Sequence, residues 1–335
     1  MTAVRSAPAL GVAAGYAADA AFGDPRRGHP VAGFGRAAGA LERRLWRDHR
    51  AVGAAFTALC VGTVAAGAIA AERAVRGPSG GGSSVRSPGL ASAGRMLLAG
   101  AATWTVLGGA SLVREARTIG GSLHAGDLPA ARARLPYLCG RDPRGLTEQQ
   151  IARAVVESVA ENTADAVVNA LVWGALAGTP GLLAFRAVNT LDAMVGHRSP
   201  RYLRFGWASA RLDDVAGWPG ARLTALLTVA AAGPGRRAET WRVWRRDASA
   251  HPSPNAGQAE AAFAGALGVR LGGTLAYGTR TEHRPVLAAE CRPVAVGDIE
   301  RACVLSRRVG LLAVGAAVAA VLLRERLGGR GRERR

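Results

Sequence analysis

An all-α, polytopic integral membrane protein is the fold class this sequence predicts, and three observations carry the prediction. Apolar residues make up 49% of the 335-residue chain, but they gather in blocks and do not spread with amphipathic periodicity. One block, 51–71, holds no charge and has the ~20 residues a helix needs to cross a bilayer. Arginines crowd beside the blocks, as in Arg43, Arg44, Arg47 and Arg50, or Arg236, Arg237, Arg242, Arg245 and Arg246, which is the pattern of loops retained on the cytoplasmic side. About four to six membrane-embedded helices joined by polar cytoplasmic loops are expected, in a single domain over 1–335.

The elements follow in order. Residues 6–18 form a short apolar run after Arg5 that mimics a secretory signal, but Asp19 and the polar GDPRRGHP beyond it argue against cleavage, so a partial or interfacial helix is expected. The first crossing is 51–71. GPSGGGSSVRSPG at 77–89 reads as a flexible linker. The second crossing is 96–113. A polar region with Pro129, Pro136 and Pro143 leads to the acid-bearing ESVAENTAD. The third block, 166–185, is interrupted by Gly178-Thr179-Pro180-Gly181, and a helical hairpin is favoured there because breakers are tolerated where protein buries them. A charged, aromatic stretch at 198–214 and a short apolar run at 223–235 precede PSPNAG at 252–257, a rigid turn opening a helix. The fourth crossing is 309–323, followed by a basic cytoplasmic tail, 324–335. No internal repeat is present.

Charge narrows the function classes. The formal net charge is +19, and every one of the 43 basic residues is arginine. A Schiff-base lysine and a P-loop lysine are therefore excluded. Any phosphate must be held by guanidinium groups, backbone amides or a metal. No recognition helix or aromatic stacking motif accompanies the charge, so no nucleic-acid partner is expected. Cys60, Cys139, Cys291 and Cys303 show no C-x-x-C spacing, which argues against a disulfide framework or structural zinc. The partner that the composition does imply is the lipid bilayer.

The most informative stretch is 157–196. Four-residue spacing advances about 40° per step on a helix, so Glu157, Glu161 and Asp165 share one face. Three aligned carboxylates repel one another, which a cation or cationic substrate would offset. A solvated helix face before a membrane segment is the alternative. If the third block is a hairpin, this face and the polar return at Arg186, Asn189, Thr190 and Asp192 lie together on the cytoplasmic side. Asp24 in GDP and His29 in GHP each suit a turn or extended chain as readily as a site. Asn255 either caps the helix after it or offers that helix's N-terminus to a phosphate. Trp173, Trp207 and Trp218 read as interface anchors, and His251 is a weak site candidate.

Taken together, GYAADAAFGDPRRGHPV, ESVAENTAD, FRAVNTLDAMVGH, RYLRFGWASARLDDVAGWPGARLTALL and SPNAGQAEAAFAGALGVRLGG resemble the CobD/CbiB family of cobalamin biosynthesis, over about 15–273 and more weakly beyond. The resemblance implies a membrane ligase, adenosylcobinamide-phosphate synthase, joining adenosylcobyric acid to aminopropanol or its O-phosphate. Amide formation from a carboxylate in water needs activation, so ATP and Mg²⁺ are implied, with the corrinoid as substrate. Catalytic roles would fall to Glu157, Glu161, Asp165 and Asp192, with Glu161 and Asp165 as magnesium ligands. Substrate contacts would fall to Asp24, His29, Asn162, Arg186, Asn189, Arg211, Asp213, Asp214 and Asn255, with Arg222 a further phosphate or carboxylate clamp. The GVRLGG segment is given no role. The resemblance implies a multi-pass cell-membrane protein whose active-site loops face the cytoplasm.

Two other readings compete. A non-catalytic membrane sensor of the AmpE type would share the helices but lack the polar motifs. An intramembrane prenyl-transfer enzyme would also use acids with magnesium, but Asp213-Asp214 lacks a D-x-x-x-D continuation.

Overall fold

A computed structural model describes residues 2–25, 28–77, 88–277 and 280–333. Helices run in the order α1 (Thr2–Phe22), α2 (Pro30–Leu45), α3 (Arg50–Arg76), α4 (Pro88–Val106), α5 (Gly109–His124), α6 (Leu128–Arg134), α7 (Glu148–Thr163) and α8 (Asn169–Leu191). They continue with α9 (Trp207–Ala216), α10 (Trp218–Ala231), α11 (Arg237–Asp247) and α12 (Ala256–Leu267). Strands β1 (Val269–Tyr277), β2 (Arg280–Leu287) and β3 (Arg292–Pro293) then precede the long α13 (Asp298–Glu333). Among the described residues, four helical stretches are long and apolar enough to cross a membrane: Arg50–Arg76, Gly89–His124, Glu148–Gly196 and Asp298–Leu327. Each contains one of the expected blocks, and the protein is an all-α polytopic membrane protein.

Several expectations change in detail. The first helix is longer than the expected 6–18, since α1 runs from Thr2 to Phe22, and it packs along α4. A Cβ on Gly11 would lie 2.4 Å from the Met96 carbonyl, and one on Gly15 would lie 2.5 Å from that of Gly100, so the two backbones touch through small residues. The 78–87 part of the expected linker lies outside the described residues. The expected tail is helical as far as Glu333, as a continuation of α13.

The chain divides into two compact units. The first comprises Met1–Gly108, Asn169–Ala216 and Val314–Arg335. Its core gathers Ala38, Phe56, Cys60, Leu191, Val195 and Phe205, with the Phe56 and Phe205 rings 5.1 Å apart. Within this unit α8 is broken at Gly178, whose φ of 71° and ψ of −158° are not helical. A Cβ on Gly174 would touch Leu182 at 3.0 Å, and one on Gly181 would lie 2.6 Å from the Trp173 carbonyl. Residues eight apart in an unbroken helix are ~12 Å apart, so the chain reverses here. The hairpin favoured from the GTPG motif is therefore the observed path. Glu72 Oε1 accepts from the Thr179 N–H at 3.2 Å, supplying the cap that the restarting helix needs.

The second unit comprises Gly109–Val168 and Gly217–Ala313. Its centre is α12, buried on every side from Ala256 to Leu267 except at Gln258. Small side chains allow this, with Gly257 against the Ala248 carbonyl and Gly265 against Thr240. α7, α10 and α11 surround it. The small sheet, in the order β2-β1-β3, was not foreseen from the sequence. β1 pairs antiparallel with β2, with a bulge between Leu271 and Gly273, and parallel with β3.

Candidate active site

The second unit contains a polar cavity of about 140 Å³ where α7, α12, β2 and the loop before α7 meet. α7 enters it in a fixed register because Thr147 and Gln150 close a capping box at its N-terminus. Glu157, Ser158, Glu161 and Asn162 line one wall, and Glu260, Arg284 and Arg141 line the others.

Glu157 is buried and fully engaged. It forms an ion pair with Arg141, itself only 8% exposed at its side chain, and its Oε1 accepts the Gly272 N–H at 2.7 Å. Arg153 approaches the same carboxylate at 3.9 Å and donates to the Gly272 carbonyl at 2.6 Å. Gly272 has a φ of 79°, and a Cβ there would lie 2.1 Å from the Pro285 carbonyl, so the strand accepts only glycine at this point. GVRLGG thus has a role after all: its backbone presents a donor to the acid helix. Ser158 Oγ donates to the Leu138 carbonyl at 2.9 Å, fixing the same loop that carries Arg141.

Glu161, one turn further on, differs sharply. It is exposed in the cavity and makes no hydrogen bond or close ion pair among the described residues. Asn162 Nδ2 is tied back to Ser158 through its carbonyl and Oγ, at 2.9 and 3.1 Å. Asp165 lies beyond the end of α7, in a π-helical turn over Ala164–Val168 that changes the register. The three acids therefore occupy three environments, and their mutual repulsion is relieved first by pairing Glu157 with Arg141.

Glu260, Arg284 and Arg141, to which the sequence assigned no role, and His251, which it weighted lightly, complete the site. Glu260, 2% exposed, lines the cavity from α12. His251 Nε2 lies 3.6 Å from its Oε1, and Glu260 makes no hydrogen bond among the described residues. The Ser253 N–H donates to His251 Nδ1 at 3.0 Å, and the other ring nitrogen, Nε2, faces Glu260. Arg284 Nη1 stands 3.3 Å from the same Nε2. Burial first, then the nearby charges of Glu157 and Glu161, hold the Glu260 carboxyl well above the usual glutamate range against the opposing pull of Arg284 and Arg141. The only signal for it in the sequence is a lone charge in the otherwise uncharged AGQAEAAFAGAL.

The other expected site residues lie mostly in the first unit. Arg186 Nη1 donates to Asn189 Oδ1 and Asn189 Nδ2 to Asp213 Oδ1, both at 3.4 Å, beside an apolar cavity of about 190 Å³ lined by Pro30, Phe34 and Leu183. Arg211 pairs with Asp214 at 3.6 Å on the surface. Asp192 sits in a second π-helical turn, Asp192–Gly196. His29 caps α2 by accepting from the Val31 N–H, and its Nε2 lies 3.9 Å from Asp24. In the second unit Asn255 accepts from Arg222 Nη1 at 3.1 Å and does not cap α12. That function passes to Ser253, whose Oγ accepts from the Ala256 N–H at 3.1 Å. Glu161 and Asp192 belong to different units.

Among the described residues no group of three or more His, Cys, Asp or Glu side chains is arranged to hold a metal ion unaided. The cavity's donors fit a different mode, since Mg²⁺ commonly takes one or two carboxylates and completes its shell with phosphate oxygens and water. Glu161 is a carboxylate free for that purpose, and Asp165 follows it by four residues.

A model of the CobD/Cbib protein family matches residues 12–306. A cobalamin biosynthesis protein CobD from Mycobacterium tuberculosis is 51% identical over 318 residues, covering 94% of this chain and 95% of that protein. Proteins of the same name from Geobacter metallireducens and Rhodobacter capsulatus are 44% and 39% identical, over 82% and 86% of this chain. No solved structure matches. The matched span takes in all the segments that build the acid cavity, and the chain belongs to the CobD/CbiB family of cobalamin biosynthesis.

Proposed function

We propose that this protein is an ATP-dependent amide-forming ligase that joins adenosylcobyric acid to (R)-1-amino-2-propanol or its O-phosphate, giving adenosylcobinamide or its phosphate. Family membership supplies the pathway. The observation that carries the reaction class is Glu161, an exposed carboxylate without a direct partner in a cavity whose other walls hold Arg141, Arg284 and a second acid, Glu260. An amide ligase must bring together a carboxylate, an amine that arrives as an ammonium ion, and phosphate groups. Acids and arginines at close quarters suit that combination.

The residues divide the work by environment. Glu157 locks Arg141 and β1 in place. Arg141 and Arg284 present guanidinium edges to a phosphate or to the reacting carboxyl. Glu161 would hold magnesium, which when bound with ATP screens the phosphates during carboxyl activation. A volume of about 140 Å³ suits a small amino alcohol and one carboxyl arm, so the corrin ring stays outside and only its reacting end enters. Access to ATP requires the cavity to open on the cytoplasmic side of the cell membrane.

Purified membranes supplied with adenosylcobyric acid, ATP, magnesium and either aminopropanol or aminopropanol phosphate test the proposal, with the product identified by mass. Amide product is expected from the wild type with at least one amine. Glu161→Gln should lose it by 100-fold or more while inserting normally, as expected on loss of a charge-stabilising ligand. Wild-type turnover by Glu161→Gln, or no amide from the wild type with either amine, would overturn it.

A further inference from the structure

Resting on the ligase reading for the identity of its ligand, we infer that Glu260 is the carboxylate that receives the primary ammonium group of the amine substrate. A carboxylate that is 2% exposed, with no hydrogen bond among the described residues, is costly to keep unless something else in the site uses it. The exposure that remains faces a cavity, because Glu260 is one of its lining residues. His251 supports it from behind at 3.6 Å, and the Ser253 N–H holds that ring in place.

Charge and hydrogen-bonding capacity point to a small monocation. Among the cavity's lining residues Glu157 is paired with Arg141, which leaves Glu161 and Glu260 facing Arg284, so that a bound cation would balance the charge Glu260 takes on when it gives up its proton. A primary ammonium carries three N–H donors. The two carboxylate oxygens of Glu260 and the Oδ1 of Asn162, whose Nδ2 is already committed to Ser158, offer an acceptor for each, leaving Glu161 to the open end. The buried end of the cavity therefore suits the amine, and its open end at Glu161 suits the phosphates. With Glu260 ionised against the bound ammonium, transfer of one ammonium proton to it would free the nitrogen lone pair for the C–N bond; the phosphate or nucleotide leaving group of the ATP-activated carboxyl departs with its C–O electrons and takes up the second N–H proton that amide formation releases.

The test is a binding titration of the full-length protein in detergent with two probes, aminopropanol phosphate and isopropyl phosphate, which is the same molecule without its amino group. The wild type should prefer the amine. Glu260→Gln should lose at least tenfold in affinity for aminopropanol phosphate and bind isopropyl phosphate within twofold of wild type. Undiminished amine binding, an equal loss for both probes, or a wild type that does not prefer the amine would each overturn the inference. Should Glu260→Gln fail to accumulate, Glu260→Asp keeps the charge and should keep the preference at reduced affinity; loss of the preference would count against the site. Preferred amine binding without amide product would sink the ligase reading and leave the ammonium site standing. Amide production with unchanged amine binding in Glu260→Gln would do the reverse.

Discussion

Removing the Arg141 guanidinium should destabilise this protein more than any change at the exposed ion pairs. The reason lies in the degree of burial. The Arg141 and Glu157 side chains are 8% and 4% exposed, whereas surface pairs such as Arg144 with Asp142 leave one partner 84% exposed. Exposed pairs contribute about 0–1 kcal/mol, but a buried carboxylate deprived of its partner typically costs about 3–5 kcal/mol. In Arg141→Met, Glu157 would retain the Gly272 N–H at 2.7 Å and the more distant Arg153 at 3.9 Å. Those remaining partners place the expected loss at the lower end, about 3 kcal/mol. Glu157→Gln should cost about 2 kcal/mol, since its amide oxygen still accepts from Gly272 while its NH₂ faces the guanidinium. The double variant removes both charges together and should be less destabilised than the sum by at least about 1.5 kcal/mol. Reversible unfolding in mixed detergent micelles, followed by tryptophan fluorescence, gives the required free energies. Additivity within about 0.5 kcal/mol would show that the two groups do not depend on each other, and would refute the account of how the loop before α7 is anchored.

Three further outcomes follow from other parts of the chain. Glu260 is held protonated above the usual glutamate range chiefly by burial, so the folded state keeps a proton that the unfolded chain has already released. Its favourable contribution is then complete below the ordinary glutamate pKa and lost as pH rises through the folded value; Glu260→Gln should be the more stable protein at pH 8, with the difference vanishing near pH 4, and a constant difference across that range would contradict the assignment. Gly178→Ala should cost about 1–2 kcal/mol, because φ is 71° at the hairpin turn, and thermal unfolding no lower than wild type would show that the turn tolerates a side chain. Single cysteines replacing the exposed residues Glu148 and Arg198, in a cysteine-free background, should both resist an impermeant thiol reagent in intact cells and both react in inverted vesicles; opposite labelling of the two would refute the cytoplasmic placement of both flanks.

How far the sequence could be read depended on whether the deciding contact was local. The membrane helices were legible because each apolar block reports its own environment, residue by residue, as at 51–71 inside α3. The hairpin was legible for the same reason: Gly178 and Pro180 break a helix wherever they fall, and the reversal needed only the cap from Glu72 in addition. The strands were not, because VRLGG carries two glycines with positive φ and low strand propensity, and its order comes from pairing with Leu287 and from the side chains of Glu157 and Arg153.

The same distinction explains the site. Spacing along one helix put Glu157, Glu161 and Asp165 on a common face, and a helical wheel has no means of telling them apart. What separates them comes from elsewhere in the chain: Arg141 and Gly272 take up Glu157, the π-helical turn shifts Asp165, and Glu161 alone is left turned to the cavity. Glu260 was overlooked for the opposite reason, since a single acid among alanines matches no motif. Yet a helix buried on nearly every side has few ways to carry a charge, and each charge it does carry must meet a partner or a ligand. His251 at 3.6 Å is too far to serve as a full hydrogen-bonding partner. That deficit makes Glu260, and not the more conspicuous row of acids on α7, the group whose replacement bears most directly on how the cavity selects its substrate.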